Sequence, residues 1–430
     1  MSLIVIPAII LTTNNAPAFS QGGVLGMFVG QSVGAGNPRM AGVWTQVSFV
    51  VISVITVIIM ITWSLTGPLI KLLKPDTDPE TVSMAGYFAM ILALSLPARN
   101  LMMQLGQYFA AQGMVRPPAI ASVFAAVFNL VFGLIFVLGV GVAGWEGIGF
   151  IACPIVTTVT EWVQVALFVL VFCICLKMHK SSWPVEGWVW SEITWARVSE
   201  FLRIFLPAAL SLSSDFWRMS VVGILAASLG ELDLAVFNAS YRILWMVLSL
   251  VGALGAAVGV RISLGVGAEN IPAAKQSIFL GSTLTLGSLA GLSVIIYFFI
   301  GQIAHIFSND PIFISEFVKV RAPLCAFTFF MNLSVYLERI PMSMGKTKEA
   351  LYAGLIGSWL GQVPGAYIAV TYWRHDLVGL YWGATLGYAM LCALLFGIII
   401  STNWEDVVRD SKSRVQADVE EEEKPLLENL

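Results

Sequence analysis

The sequence predicts an all-α polytopic membrane protein made of two homologous helix bundles. Its 430 residues are 58% hydrophobic and 11% charged, whereas soluble domains carry about 25% charged residues. Eleven stretches are apolar over a length that can span a bilayer as a helix. Short motifs of the first half recur in the second half in the same order. Together these observations indicate a membrane protein with an internal duplication.

The eleven stretches set the helical elements. A transmembrane helix needs about 20 consecutive, mostly apolar residues. Because lipid offers the backbone no hydrogen-bond partners, each stretch is predicted to be helical. The predicted helices cover residues 3–33, 42–66, 80–111, 117–140, 148–176, 203–229, 235–262, 276–300, 314–341, 349–372 and 377–401.

The duplication shows in glycine motifs with a nearly constant spacing. GAGN at positions 34–37 recurs as GAEN at 267–270, which is 233 positions later. Gly113 recurs as Gly345, which is 232 positions later. In membrane transporters, two such halves usually form two bundles around a central substrate path.

The repeat divides the chain unevenly. The expected partner of segment 203–229 would lie upstream of Met1, so we expect the first bundle to lack its first helix. The first bundle then has five helices and the second has six. The predicted divisions are an N-terminal lobe over 1–180, a cytoplasmic interlobe loop over 181–202, a C-terminal lobe over 203–405 and a disordered acidic cytoplasmic tail over 406–430.

The tail contains a motif that is typical of sorting signals. Glu422 lies four positions before the pair Leu426 and Leu427. This spacing resembles an acidic dileucine signal, which clathrin-adaptor proteins read; a plain solvated tail is the alternative. We expect a multi-pass protein of a vacuolar, endosomal or plasma membrane in a eukaryotic cell.

Several classes of protein are excluded by features that the sequence lacks. The five cysteines lie in apolar segments and show neither metal-ligand spacing nor a disulfide framework. The three histidines show no catalytic spacing, and there is no phosphate-binding loop. No basic run suggests nucleic acid. We therefore expect no enzyme, metal or cofactor. We expect the chain to lie in the lipid bilayer as a monomer.

An acidic residue in the middle of a predicted helix is the main candidate for function. Asp215 lies near the centre of segment 203–229, and Arg218 follows three residues later on the same helix face. An ionisable group at this depth costs about 2.5–3.5 kcal/mol to insert. We interpret Asp215 as a carboxylate that exchanges protons and contacts substrate. An Asp–Arg pair that only neutralises charge is the alternative.

Two further charged positions lie in the second half. Arg242 follows two turns into the next helix, beside Tyr241, and could reach Asp215 or Arg218. Snorkelling of Arg242 to the membrane interface is equally consistent with the sequence. Glu338 and its neighbour Arg339 lie near the end of segment 314–341, where we expect a gating or structural ion pair.

The first half contains polar residues that could line a cavity. Asn100, Gln104 and Gln107 share one face of segment 80–111, and Glu161 lies in segment 148–176. Hydrogen bonds between helices are the alternative role for these side chains.

These motifs resemble the multidrug and toxin extrusion (MATE) transporters. QSVGAGN at 31–37 is similar to the family's motif after the second helix, and VR at 260–261 with GAEN at 267–270 is similar to its eighth-helix counterpart. QG at 112–113 resembles the family's turn after the fourth helix, and TNWE at 402–405 resembles the cytoplasmic end of its last helix. The resemblance implies twelve helices in two six-helix lobes, which exchange H⁺ or Na⁺ for a bulky organic substrate.

The resemblance also implies roles for individual residues. Asp215, Phe216 and Trp217 fall on the family's seventh-helix acid-aromatic-Trp motif, whose carboxylate is similar to the proton site of the eukaryotic branch. Asp215, Trp217 and the nearby Tyr241 are then expected to contact the coupling ion or the substrate.

The sequence departs from the family at three acidic positions. Ser220, Arg242 and Met331, which is followed by Asn332, stand where the family has further acids. We therefore expect a site with one acid, two arginines and Asn332. The predicted function is a secondary antiporter that exports organic compounds or xenobiotics. The alternatives are an exporter of organic anions or metabolites, a lipid-type flippase, or a truncated isoform that does not transport.

Overall fold

A computed structural model of the chain describes residues 23–73, 75, 77–142 and 144–427. Over these residues the secondary structure is helical, with turns and short loops but no β-strand. The chain divides into two compact units, Met1–Ala209 and Leu210–Leu430. The predicted all-α architecture is confirmed.

The first unit holds seven helices and the first half of an eighth, among the residues that the structure describes. Its first helix begins at Leu25, so residues 3–22 of the first predicted helix lie outside the described part. The helices are α1 (Leu25–Gly34), α2 (Pro38–Ser64), α3 (Thr66–Leu73), α4 (Pro79–Ala93), α5 (Leu96–Ala111), α6 (Arg116–Phe136), α7 (Ala152–Phe168) and α8 (Trp195–Ala227).

The second unit begins inside α8 and contains the remaining helices. They are α9 (Glu231–Gly267), α10 (Ile271–Phe307), α11 (Pro311–Lys319), α12 (Arg321–Met344), α13 (Thr347–Leu355), α14 (Val363–Ile368), α15 (Leu377–Ser401) and α16 (Trp404–Leu427). Two π-helical segments, Ile356–Gln362 and Ala369–Trp373, join α13 to α14 and extend α14, so one nearly continuous helical run covers the predicted segment 349–372.

The repeated sequence motifs adopt the same local geometry in both units. Asn37 Oδ1 accepts a hydrogen bond from the amide of Met40 (3.4 Å), and Asn270 Oδ1 accepts one from the amide of Ala273 (3.1 Å). Each asparagine caps the helix that comes after it, and a proline occupies the first turn of both helices. The duplication that the sequence predicts is therefore visible in the helix starts.

Up to eight helical spans of the described residues can cross a membrane, judged by length and composition. Six spans qualify among the described residues. Five are the helices α2, α6, α9, α10 and α15, and the sixth is the run Gly149–Cys175, which contains α7. The pairs α4–α5 and α11–α12 each qualify together and bend by 41° and 58°. These elements coincide with eight of the predicted segments, and α8 coincides with a ninth, 203–229. The chain is a multi-pass membrane protein.

The segment between the bundles is folded onto the first unit. The side chain of Gln46 in α2 donates to Gly187 O (2.9 Å) and accepts from the amide of Val189 (2.9 Å). Gly42 leaves room for this loop, because a Cβ there would lie 2.5 Å from Ser182 O. The loop is thus held by side chains that replace missing backbone partners.

The tail differs from the prediction of disorder. Residues 404–427 form α16, and Val407, Ser411 and Val415 are buried at a spacing of four residues. Lys412 Nζ also lies 2.9 Å from Glu269 Oε1 at the turn between α9 and α10. A stripe at this spacing packs as one helical face, which composition alone does not show. Glu422, Leu426 and Leu427 fall in the last turns of α16, and their side chains lie outside the described ones.

Candidate functional site

The second unit contains a buried ion pair on α8. Arg218 Nη2 lies 3.0 Å from Asp215 Oδ1, as the spacing of three residues on one helix allows. The arginine side chain is 4% exposed, whereas the aspartate side chain is 26% exposed. The carboxylate is therefore the accessible member of the pair and the guanidinium is the fixed one.

Two residues from other helices hold Arg218 in place. Nη2 donates to Tyr388 Oη (3.0 Å), and Nη1 donates to Ser358 Oγ. The guanidinium carbon also lies 4.6 Å from the centroid of the Tyr388 ring. A buried guanidinium is stable only with such partners, so the packing of α15 and of the π-helical segment Ile356–Gln362 against α8 determines where this charge sits.

A second carboxylate belongs to the same group of charges. Ser211 Oγ donates to Glu338 Oε1 (2.6 Å), and Ser211 lies one helical turn before Asp215 on α8. Glu338 interacts electrostatically with both Asp215 and Arg218. The expected ion pair between Glu338 and Arg339 does not form. No basic side chain in the described part of the chain lies within 4.0 Å of the Glu338 carboxylate.

The expected second arginine lies elsewhere. Arg242 is exposed on α9 and makes neither an ion pair nor a hydrogen bond with any described residue. Asn238 and Ser249 are exposed on the same side of α9, at helical spacing. Instead of one acid and two arginines, the cluster thus contains two acids and one arginine. Both acids, Asp215 and Glu338, interact electrostatically with Arg218.

Aromatic side chains lie beside this cluster. Tyr241 interacts electrostatically with Asp215 and Arg218, as its predicted place near the acid requires. The rings of Phe216 and Trp245 are stacked with centroids 6.1 Å apart, and Tyr241 meets Trp245 edge-on at 6.0 Å. Trp245 is 41% exposed, so these rings offer an apolar surface next to the carboxylate of Asp215.

The other two predicted residues of this site, Asn332 and Trp217, have polar groups with unused hydrogen-bonding capacity. Asn332 is fully buried in α12, and its Nδ2 donates to Thr328 O (2.8 Å). Its Oδ1 and the indole nitrogen of Trp217 have no hydrogen-bond partner among the described residues. The buried indole nitrogen of Trp217 can therefore still donate a hydrogen bond on α8, and Asn332 Oδ1 can still accept one on α12.

The first unit has a cavity that includes two of the four predicted lining residues. It has a volume of about 250 Å³ and is lined by Phe49, Ile52, Ser53, Thr56, Val57, Met60, Pro97, Asn100, Leu101, Gln104 and Trp162. Asn100 Nδ2 donates to Thr56 Oγ1 (2.6 Å) at its wall. Gln107 and Glu161 lie elsewhere. Gln107 Oε1 accepts from the amide of Gly26 (3.2 Å), and Glu161 Oε1 lies 3.4 Å from Arg99 Nε.

Sequence reasoning missed the residues that surround Arg218. Tyr388 and Ser358 are common residue types in apolar helices, and no local pattern marks them as partners of an arginine. Ser211 carried a usable signal, because it lies four positions before Asp215 and so on the same face of α8. Glu338 was noticed but was assigned to its sequence neighbour.

Sequence relatives of the chain are membrane transporters. The MatE family model matches residues 10–135 and 207–368. Protein DETOXIFICATION 14 of Arabidopsis thaliana is 23% identical over 413 residues, which are 95% of this chain and 82% of the relative. Multidrug and toxin extrusion protein 1 of Xenopus tropicalis is 23% identical over 421 residues, which are 96% of this chain and 70% of the relative.

Solved structures show the same fold. The crystal structure of the eukaryotic MATE transporter AtDTX14 superimposes with a TM-score of 0.83 at 21% identity, over 96% of this chain and 90% of that one. An outward-facing multidrug resistance MATE transporter of the MOP superfamily gives a TM-score of 0.79 at 17% identity, over 96% of this chain and 88% of that one.

Proposed function

The chain belongs to the MatE family of multidrug and toxin efflux transporters, and on that premise we propose that it exports organic compounds in exchange for protons. The coupling carboxylate in this proposal is Asp215. The observation that carries it is the ion pair of Asp215 and Arg218, in which the base is buried and held by its partners while the acid is partly exposed.

The pair can couple a proton to a substrate by competition. When Asp215 takes a proton it loses its charge, and the ion pair with Arg218 is broken. A cationic group that binds beside the ionised carboxylate is then displaced, and by linkage the bound cation lowers the affinity for the proton by the same factor. Protons and substrate therefore occupy the site in alternation.

The geometry favours H⁺ over Na⁺ as the coupling ion. The guanidinium of Arg218 lies 3.0 Å from the carboxylate and is held there by Tyr388 and Ser358. A sodium ion would need several oxygen ligands around Asp215, where the guanidinium already contacts Oδ1. A proton adds no bulk and needs no shell of oxygen ligands.

The charge of the cluster favours organic cations. Asp215, Glu338 and Arg218 carry a net charge of −1 when both acids are ionised, and aromatic rings lie next to them. An organic cation with apolar groups complements both features. In the first unit, the mostly apolar cavity with Asn100 and Gln104 at its wall suits a small uncharged organic group.

Organic anions are the second candidate, because Arg242 is an exposed guanidinium without a described partner. The two candidates make opposite predictions for Arg242→Ala. Uptake of an anion such as labelled para-aminohippurate falls if anions are the substrates. Uptake of labelled tetraethylammonium is retained or increased if cations are the substrates.

The proposal is tested with purified protein in proteoliposomes. Labelled tetraethylammonium should accumulate under a pH gradient and not under a sodium gradient, and Asp215→Asn should abolish the accumulation. The matched control is Asp406→Asn, because Asp406 also pairs with an arginine three residues later, Arg409 at 2.7 Å, but is exposed. Accumulation by Asp215→Asn at the wild-type level would remove Asp215 from the mechanism.

A further inference from the structure

We propose that Glu338 is a second proton-carrying carboxylate of the transport cycle, linked to Asp215 through the charge of Arg218. This inference rests on the proposed function of proton-coupled export. It adds a residue on α12 to a site that otherwise consists of a single acid on α8.

Glu338 lies against the face of α8 that carries the ion pair. Its carboxylate accepts a hydrogen bond from Ser211, which lies on the face of α8 that carries Asp215 one turn later. Three charged groups act on it, Asp215 and Arg218 of α8 and its own neighbour Arg339. Glu338 therefore belongs to the same electrostatic group as the ion pair.

The two acids differ in their contact with Arg218. Asp215 is in direct contact with the guanidinium, so a change in its protonation breaks an ion pair. Glu338 has a hydroxyl donor but no basic partner within 4.0 Å in the described part of the chain. It can gain or lose a proton while Arg218 keeps all its contacts.

Arg339 does not pair with Glu338, because the two side chains point to different helices. Consecutive residues of an α-helix point about 100° apart. Arg339 is directed to α9, since a Cβ at Gly255 would lie 3.1 Å from Arg339 Cγ. Glu338 is directed to α8. The two side chains of this sequential pair thus face different helices.

The protonation of Glu338 is coupled to that of Asp215. Two carboxylates that interact with each other and with one arginine do not titrate independently, and their protons belong to the pair. When substrate binds beside Asp215, the proton leaves the cluster by way of Glu338, and when substrate leaves, the two acids take up a proton again. No other co-reactant is required, because the proton is the exchanged ion.

Ser211 serves as a positioning residue for this acid. A Cβ at Gly354 of α13 would lie 3.2 Å from Ser211 Oγ. The absence of a side chain at Gly354 therefore leaves room for the hydroxyl that reaches Glu338. Loss of the hydroxyl removes a donor that favours the ionised carboxylate, so the pH dependence of transport has to change.

The experiment compares two transport modes in proteoliposomes. One is uptake of labelled tetraethylammonium driven by a pH gradient, and the other is exchange of labelled for unlabelled tetraethylammonium at equal pH. For Glu338→Gln we expect gradient-driven uptake to fall by at least about tenfold, while exchange stays within about twofold. The control is Glu349→Gln, an exposed glutamate of the same unit.

The outcomes separate this inference from the proposed function. If the wild-type protein and Asp215→Asn behave as predicted but Glu338→Gln accumulates substrate normally, the inference is wrong and the proposed function stands. If the wild-type protein shows no gradient-driven uptake, the proposed function itself fails.

A second variant keeps the test decisive if Glu338→Gln does not fold. Ser211→Ala should move the pH at half-maximal uptake upward by roughly one to two units, the size of one hydrogen bond to a charged group. An unchanged pH profile in a folded Ser211→Ala protein would contradict the role of Glu338.

Discussion

Tyr388 holds Arg218 in two ways. Its hydroxyl accepts a hydrogen bond from Nη2 at 3.0 Å, and its ring lies 4.6 Å from the guanidinium carbon. One side chain of α15 thus supplies both an acceptor and an aromatic face to a buried charge of α8. The two contributions can be separated by substitution.

Tyr388→Phe keeps the ring and removes the acceptor. We expect it to lower the free energy of unfolding by about 2 kcal/mol, the net value of one hydrogen bond to a charged group. Tyr388→Leu also removes the aromatic face and should cost at least about 2 kcal/mol more. Thermal unfolding in detergent measures both, and Tyr352→Phe at an exposed position is the control. Equal losses in the two Tyr388 variants would show that the ring contributes nothing.

A close approach between helices should make one glycine of α15 indispensable. A Cβ at Gly387 would lie 2.2 Å from the backbone of Gln362, whereas a Cβ at Gly397 would meet nothing within 4 Å. Gly387→Ala should therefore destabilise the protein by about 3 kcal/mol or more, since backbone must move. Gly397→Ala should be neutral or stabilising by up to about 1 kcal/mol, because alanine favours the helix. Similar melting temperatures for the two variants would argue against this packing.

The cavity of the first unit can be tested by filling it. Ser53 is one of its lining residues, so Ser53→Phe should raise the KM for tetraethylammonium about fivefold or more, if the cavity holds part of the substrate. The control is Val54→Phe, which places the same ring on the next residue of α2, an exposed position outside the lining. A KM that changes equally in both variants, or in neither, would exclude the cavity from substrate binding.

Low pH should destabilise the folded protein through His179, which lies in the loop after α7. Burial, together with the charge of Lys180, lowers the pKa of His179 below its usual value. The folded protein therefore takes up a proton at His179 only at a lower pH than the unfolded chain, in which histidine titrates near about pH 6.5. Stability from this residue is present above that pH and is lost as the pH falls. The drop in melting temperature between pH 7.5 and 5.5 should be smaller in His179→Gln than in wild type, and unchanged in the exposed-site control His305→Gln.

The helices and the ion pair could be predicted from sequence because both depend on local spacing. Hydropathy located the segments, the asparagine and proline of each repeat located helix starts, and a spacing of three residues brought Asp215 to Arg218. The pairing of Ser211 with Glu338 spans 127 positions. Periodicity identifies the face of a helix but not the helix that packs against it, so this contact was not predictable.

The tail shows the opposite limit. Its polar composition predicted disorder, but three small or apolar residues at a spacing of four are buried on one face of the first half of α16. A single stripe outweighed the average character of the segment. For Arg242, sequence distance suggested a place near Asp215, yet the rotation of α9 leaves its side chain exposed.

The π-helical segment Ile356–Gln362 links the anchoring of Arg218 to the pitch of a helix. Ser358 and Trp359 are consecutive, yet both reach α8, where Ser358 receives Arg218 and the indole of Trp359 donates to Ser214 (2.8 Å). A π-helical turn takes up an extra residue, so its return to α-helical winding would rotate the next turn of the helix by about 100°. Rewinding of this one turn would withdraw a hydroxyl from the guanidinium without moving α8. The winding of this short segment therefore sets the strength with which the central charge is held.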